Sequence, residues 1–208
     1  SSSINMSGVN SINWARIIAQ SVYYFYSFFL IKDRSQPINF SVPTGNFGDV
    51  YAGYLAKKMG LPINKLVVAT NQNDILHRAI SNGEYSIEKV SETISPSMDI
   101  QLASNFERLL YDVNNHDSII TTLAMKDIGE KGKYIIDKKR LEKINVDFLS
   151  ACVSEEEVLK TIKDVYEKYK TILDPHTAIG YNALDKVNLE GNNIVLATAH
   201  PCKFPDAI

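Results

Sequence analysis

Cysteine is nearly absent from this chain. Its 208 residues include two, Cys152 and Cys202, far apart and outside any CxxC or cysteine–histidine spacing. That spacing excludes a disulfide framework and a structural zinc site, so no metal is expected. Both are expected to be buried free thiols in a reducing compartment, with the cytoplasm as the default location. Arginine-rich tracts are missing too. A net charge of −2 and a pI near 6.1 give no pull towards nucleic acid. Long apolar runs are missing. The most apolar window, "VYYFYSFFLI" at 22–31, is too short to span a bilayer and is punctuated by tyrosines, so it reads as a buried helix and no membrane is expected. The first residues, "SSSINMSGVN", have neither a basic region nor an apolar core, and are not expected to form a signal peptide.

What is present is an ordinary globular composition, 45% hydrophobic and 22% charged, enough for a real core. Ser11 is a plausible cap for a helix through "INWARIIAQSVYYFYSFFLI". A strand at 38–42, a glycine-rich turn, a helix to about Met59 and a strand at 65–70 follow. Strand, helix and strand in about 30 residues predict a right-handed βαβ unit in a parallel sheet. A short helix closes at Asn82-Gly83. An amphipathic helix is expected from Ser95-Pro96-Ser97 through Leu110, and another ending at Gly129. "DKKRLEKI" reads as a solvated helix. "FLSACV" is a strand, and Ser154 with Glu157 makes a capping box for the helix after it. "DPHTAIGYNALDKV" is a turn and helix, and "NIVLATAHP" a buried strand with a polar tip. The expected class is α/β, an open, mostly parallel sheet flanked by helices. One domain over 1–208 is expected, with a weak subdivision near Ser91.

Four strings could carry chemistry. "PTGNFGD", residues 43–49, links a strand to a helix. Backbone N–H groups at such a turn can hold an anion, and glycine permits positive φ and close approach. The string lacks the lysine of a P-loop and the GxGxxG spacing, so a phosphate cradle and a plain tight turn stand level. Asp49 weighs against a highly charged ligand unless it only caps the helix. "VLATAHPCKF", residues 195–204, ends a strand at the sheet edge where open α/β sheets bind ligands. His200 alone reads first as a hydrogen-bonded structural histidine. In "DPHTAIG", Asp174 or the His176-Thr177 pair can simply cap a helix. In "NQNDIL", Asn73 or Asp74 can do the same.

Read in order, "VNSINWARIIAQ", "SVPTGNFGDVYAGYLAKKMGLP", "LVVATNQNDIL", "SPSMDIQLASNFERLLYD", "DPHTAIGYNAL" and "LATAHPCKFPDAI" resemble the threonine synthase family. These are pyridoxal-phosphate (PLP) enzymes of the tryptophan-synthase-β type, fold type II. The resemblance implies that the sheet is the larger, cofactor-holding part of such an enzyme. It implies that Gly45, Asn46, Phe47 and Gly48 hold the 5′-phosphate of pyridoxal 5′-phosphate through backbone N–H groups. It places the Thr198 hydroxyl against the pyridine nitrogen. It also implies conversion of O-phosphohomoserine and water to threonine and phosphate, a carbon–oxygen lyase reaction in threonine biosynthesis. Asn13, Arg16, Asn73 and Arg108 are candidates for the substrate because they are polar within family-like strings. The alternatives are a non-catalytic phosphate- or PLP-binding fragment, or another lyase of the fold type such as a dehydratase. "SINWARI" and "SMDIQLASNFERLL" favour threonine synthase.

One family feature is missing. The lysine that anchors the cofactor sits in a Ser-Phe-Lys-Asp string upstream of the Ser-Ile-Asn-Trp helix. Here Lys32-Asp33, Lys126-Asp127 and Lys163-Asp164 all lack the preceding serine and phenylalanine. The expectation is therefore a carboxyl-terminal portion without a catalytic lysine. Such a portion should expose apolar surface and cover it by self-association or by pairing with an amino-terminal part.

Overall fold

The computed structural model describes residues 10–207. The expectation about a leader in the first residues lies outside them, save Asn10. Four strands form one parallel sheet in the order β5-β2-β1-β6: β1 is Ile38–Pro43, β2 Lys65–Thr70, β5 Phe148–Cys152 and β6 Asn192–Val195. The strand–helix–strand unit expected around the glycine turn is present. It runs β1, α2 (Gly48–Lys58), β2. Central β1 is buried along its whole length, as a strand covered on both faces must be. Its residues alternate. Phe40 and Val42 join the larger core with α1 (Trp14–Leu30), α2 and α3 (Ile75–Asn82). Asn39 and Ser41 face the other way, and the Ser41 hydroxyl donates to the Gly180 carbonyl of α8 (Pro175–Val187) at 2.6 Å. β2 alternates likewise, with Leu66 and Val68 in the larger core and Val67 and Ala69 in the smaller one under α8 and α7 (Glu155–Tyr169). Helices cover both faces, which is the class expected from the sequence.

Helix α1 departs from expectation in its cap and in its burial. Its cap is Asn13, whose side chain accepts from the Ala15 N–H, and not Ser11. It is also not buried on most sides. Ile17 and Tyr24 are buried, but Val22, Tyr23, Tyr26, Phe29 and Leu30 are all exposed. The buried stripe seats against α2, where Gly53 permits it: a Cβ there would stand 2.4 Å from the Tyr24 ring. The rest of the helix faces outward, so an apolar surface remains open along it.

Other differences are local. The helix expected from Ser95 is a 3-10 turn at Pro96–Met98 and a later helix α4 at Phe106–Val113. The cause is Asp99, whose carboxylate accepts from Asn71, Asn73 and Thr93 and holds the segment in a loop. Helix α5 (Ser118–Lys131) passes through Gly129 and stops at Gly132, whose φ of 70° closes it. Two short strands, β3 (Glu84–Ser86) and β4 (Lys133–Ile135), pair antiparallel, and neither is long enough to show a period. Helix α6 (Lys138–Asp147) is solvated as expected, burying only Ile144. β6 ends at Val195 and is only partly buried, contrary to the expected buried strand, because it lies at the edge of the sheet. Cys152 is half-buried, whereas Cys202 is exposed, contrary to expectation. No helix among the described residues is long and apolar enough to cross a membrane, and none of their side chains cluster as a metal site.

Candidate functional site

At the carboxyl edge of the sheet a cavity of about 570 Å³ opens between α1, the turn after β1, the 97–98 loop, and the tail of β6. That volume suits a small ligand. The turn is built from its flanks inward. Pro43 ends β1, and the Thr44 N–H still donates to Ala69 on β2 at 2.8 Å, so the turn starts from a fixed point. The Asn46 side chain then accepts from the Gly48 N–H at 2.9 Å. Phe47 follows with φ of 68°, the left-handed region that a bulky residue rarely occupies. Its ring is fully buried, edge-on to Phe106 and tilted against Phe148, and this packing holds the strained backbone in place.

The glycines act differently from expectation. Neither Gly45 nor Gly48 has positive φ; Phe47 carries that role. The missing Cβ of Gly45 faces the protein, since it would lie 2.7 Å from the Ser97 carbonyl oxygen. The turn still presents unmet donors. The N–H groups of Gly45, Asn46 and Phe47 have no acceptor among the described residues, and they adjoin the positive end of α2. A phosphate fits the unmet donors of this turn.

Two residues that the sequence did not single out brace it. Asn105 is fully buried, and its backbone N–H and side chain both donate to the Asn46 carbonyl, at 3.0 and 3.2 Å. The same side chain reaches the Ser11 carbonyl at 2.9 Å. Ser97 lines the cavity, and its N–H donates to His176 Nε2 at 3.3 Å. That bond leaves Nδ1 of His176 as the donor to Asp174, 3.0 Å away. Asp174 also accepts from the His176 and Thr177 N–H groups and from the Thr177 hydroxyl. Burial pushes the Asp174 carboxyl up, but these bonds together outweigh it and bring it below its ordinary value. Asp174 is thus the cap that the sequence suggested, and it also orients a histidine on the cavity wall.

Of the substrate candidates, Arg16 lines the cavity. Asn13 caps α1. Asn73 is buried, and its amide is fully engaged with Ser91 and Asp99. The Arg108 guanidinium donates to Asn105 and to the Ile12 carbonyl and lies 5.1 Å over the Trp14 ring, so it braces the turn from behind. Thr198 lines the cavity, exposed, with no side-chain bond among the described residues. His200 is exposed, and its ring accepts from the Cys202 N–H at 3.2 Å, the structural reading. Among the described residues no lysine lines the cavity.

Asp49, in the first turn of α2, lines the cavity as well. Burial pushes its carboxyl up to about 6, against weaker lowering by the Tyr24 hydroxyl and the Arg16 charge. A raised folded value means that Asp49 favours folding most at low pH, and that this contribution is lost as pH rises through about 6. The shift from 3.8 to about 6 corresponds to up to about 3 kcal/mol. Asp49→Asn should therefore match the parent near pH 4 and be more stable by about 1–3 kcal/mol at pH 7. Urea unfolding of both proteins across that range checks it; equal stability at pH 7 would count against it.

Known proteins resemble this chain over nearly its whole length. The threonine synthase of Saccharomyces cerevisiae is 48% identical over 225 aligned positions, covering 98% of this chain. That of Pseudomonas aeruginosa is 46% identical over 96% of it. A crystal structure of PLP-bound threonine synthase from Brucella melitensis matches 97% of the chain with a TM-score of 0.93 at 46% identity. This chain belongs to the threonine synthase family. A family model described as "Threonine synthase, C-terminal" matches residues 177–208, which include Thr198 and most of α8. The chain spans 44% of the yeast threonine synthase, 43% of the Pseudomonas one and 44% of the Brucella chain. The family membership expected from six sequence strings thus holds over nearly the whole chain.

Proposed function

We propose that this chain is the cofactor-holding part of a complete threonine synthase, which converts O-phosphohomoserine and water to threonine and phosphate. The observation that carries the reading is one cavity with unmet N–H donors at Gly45, Asn46 and Phe47 on one wall and the Thr198 hydroxyl on another. PLP, when bound, supplies an electron sink for the carbons next to the substrate amine. The three N–H groups would hold its 5′-phosphate, with the α2 dipole in support. The Thr198 hydroxyl would face the pyridine nitrogen and, being neutral, leave it largely unprotonated. Arg16 offers a cation to a substrate anion in the same cavity. The proton-shuttling lysine would come from another part of the polypeptide, because among the described residues no lysine lines the cavity. The remainder of the polypeptide would also cover the open face of α1, whose Tyr23 and Tyr26 border the same cavity.

The complete polypeptide should release threonine and inorganic phosphate in equal amounts from O-phosphohomoserine, and this chain alone should release neither. Turnover by the chain alone would contradict the assignment of the shuttle to another segment. Alone, the chain should also self-associate through α1. Sedimentation equilibrium should give a mass above 23.3 kDa. A monomer across the concentration range would refute the covering of α1.

A further inference from the structure

Asp49 is not explained by the cradle it adjoins. An anion site gains from donors and cations, yet the residue that follows Gly48 in the first turn of α2 is acidic, and Asp49 lines the same cavity as the turn. Its acidic character suits the helix dipole, so an isolated helix would welcome it. A bound phosphate would not, since two anions in one partly dry cavity repel strongly. Asp49 is also poorly compensated. It makes no ion pair within 4.0 Å among the described residues. Its one side-chain donor is the Tyr24 hydroxyl, 3.3 Å from Oδ1, and that hydroxyl lies nearer the Asp49 carbonyl, at 2.8 Å. The groups that share its surroundings are Arg16, Tyr23, Tyr24 and Tyr26 from α1 and His176 from α8. Only Arg16 among them is a fixed cation, and its lowering effect on Asp49 is smaller than that of burial.

We infer that the Gly45–Gly48 turn takes its anion together with one proton, carried by Asp49, so that Asp49 sets the protonation state the site accepts. This rests on the reading of the turn as a phosphate cradle and adds a specificity to it. A neutral Asp49 carboxyl can donate a hydrogen bond to an anion oxygen, where the carboxylate can only repel it. The ligand class is a phosphate monoester group, taken up with its balancing proton on Asp49. Burial pushes the carboxyl up to about 6, which places the switch within reach of solution measurements.

Inorganic sulfate is the probe, because its charge stays constant from about pH 5 to about pH 8 while phosphate changes its own. Amide shifts of Gly45, Asn46, Phe47 and Gly48 in nitrogen–proton spectra would report binding at the turn. Affinity should fall about tenfold per unit of pH above the Asp49 titration, the slope of one linked proton. Asp49→Asn should flatten that slope and bind sulfate at least about tenfold tighter than the parent at pH 8. Asp49→Ser is a second variant with the same expectation, and the spectra themselves report that each variant is folded. Binding with an undiminished slope in both variants would assign the proton elsewhere and overturn the inference while leaving the cradle. Binding with no slope in the parent would do the same. Absence of binding by all three proteins at every pH would overturn the cradle, and the inference with it.

Discussion

Replacing Asp174 by alanine should destabilise the fold by about 3–5 kcal/mol. The carboxylate is 1% exposed and receives two backbone N–H groups, the His176 ring and the Thr177 hydroxyl. Alanine would leave all four donors buried without an acceptor, and the cost of unmet buried donors exceeds the value of the bonds themselves. For a chain of 208 residues that loss should lower the melting temperature by roughly 10 °C. Asp174→Asn should cost less, because one oxygen still caps α8. The sign of the pH effect is opposite to that of Asp49. The folded carboxyl lies below its ordinary value, so its contribution is present above the ordinary range and is lost as pH falls through the depressed value. The gap between parent and Asp174→Ala should therefore narrow in acid. Denaturant unfolding at neutral and acid pH measures both; a loss below about 1 kcal/mol at neutral pH would mean that water replaces the carboxylate.

Gly45→Ala should lower PLP affinity of the complete polypeptide about a hundredfold. The new methyl carbon would stand 2.7 Å from the Ser97 carbonyl oxygen, 3.1 Å from Ile100 and 3.2 Å from Met98. The nearest of these is backbone, so relief requires the turn or the 97–98 loop to move by a large fraction of an ångström. Overpacking of this kind costs about 1–3 kcal/mol in stability. Misplacement of positioned groups by about 1 Å can cost about a hundredfold. The two effects separate experimentally. Equilibrium dialysis reads affinity, and thermal unfolding without ligand reads stability. Unchanged PLP affinity would show that the turn does not hold the phosphate.

The sheet and the turn were legible because their signals are local. A continuous apolar run ending at Pro43, then a glycine turn and an alanine-rich helix, can be little else than strand, turn and helix. The role of each turn residue was not legible. Glycine suggested positive φ, but Phe47 adopts it, because Phe106 and Phe148 hold its ring from distant parts of the chain. The freedom of Gly45 serves contact with Ser97, which no spacing reveals. Asn105 read as one more residue of an amphipathic helix, while its partners at Ser11 and Asn46 are 94 and 59 residues away. His176 was named only as a cap candidate, and its bond to Ser97 spans 79 residues. The expected burial of α1 failed for a different reason. Apolar composition says that a face will be covered, but not that the cover lies within this chain. Arg108 and Asn73 were drawn from family-like strings, and such strings hold braces as well as ligand contacts.

A crystal structure of the complete polypeptide with PLP tests the central claim most directly. It should place phosphate oxygens about 2.7–3.2 Å from the backbone nitrogens of Gly45, Asn46 and Phe47, with the pyridine nitrogen against the Thr198 hydroxyl. PLP phosphate bound away from the turn, or a ring nitrogen facing a carboxylate in place of Thr198, would contradict it.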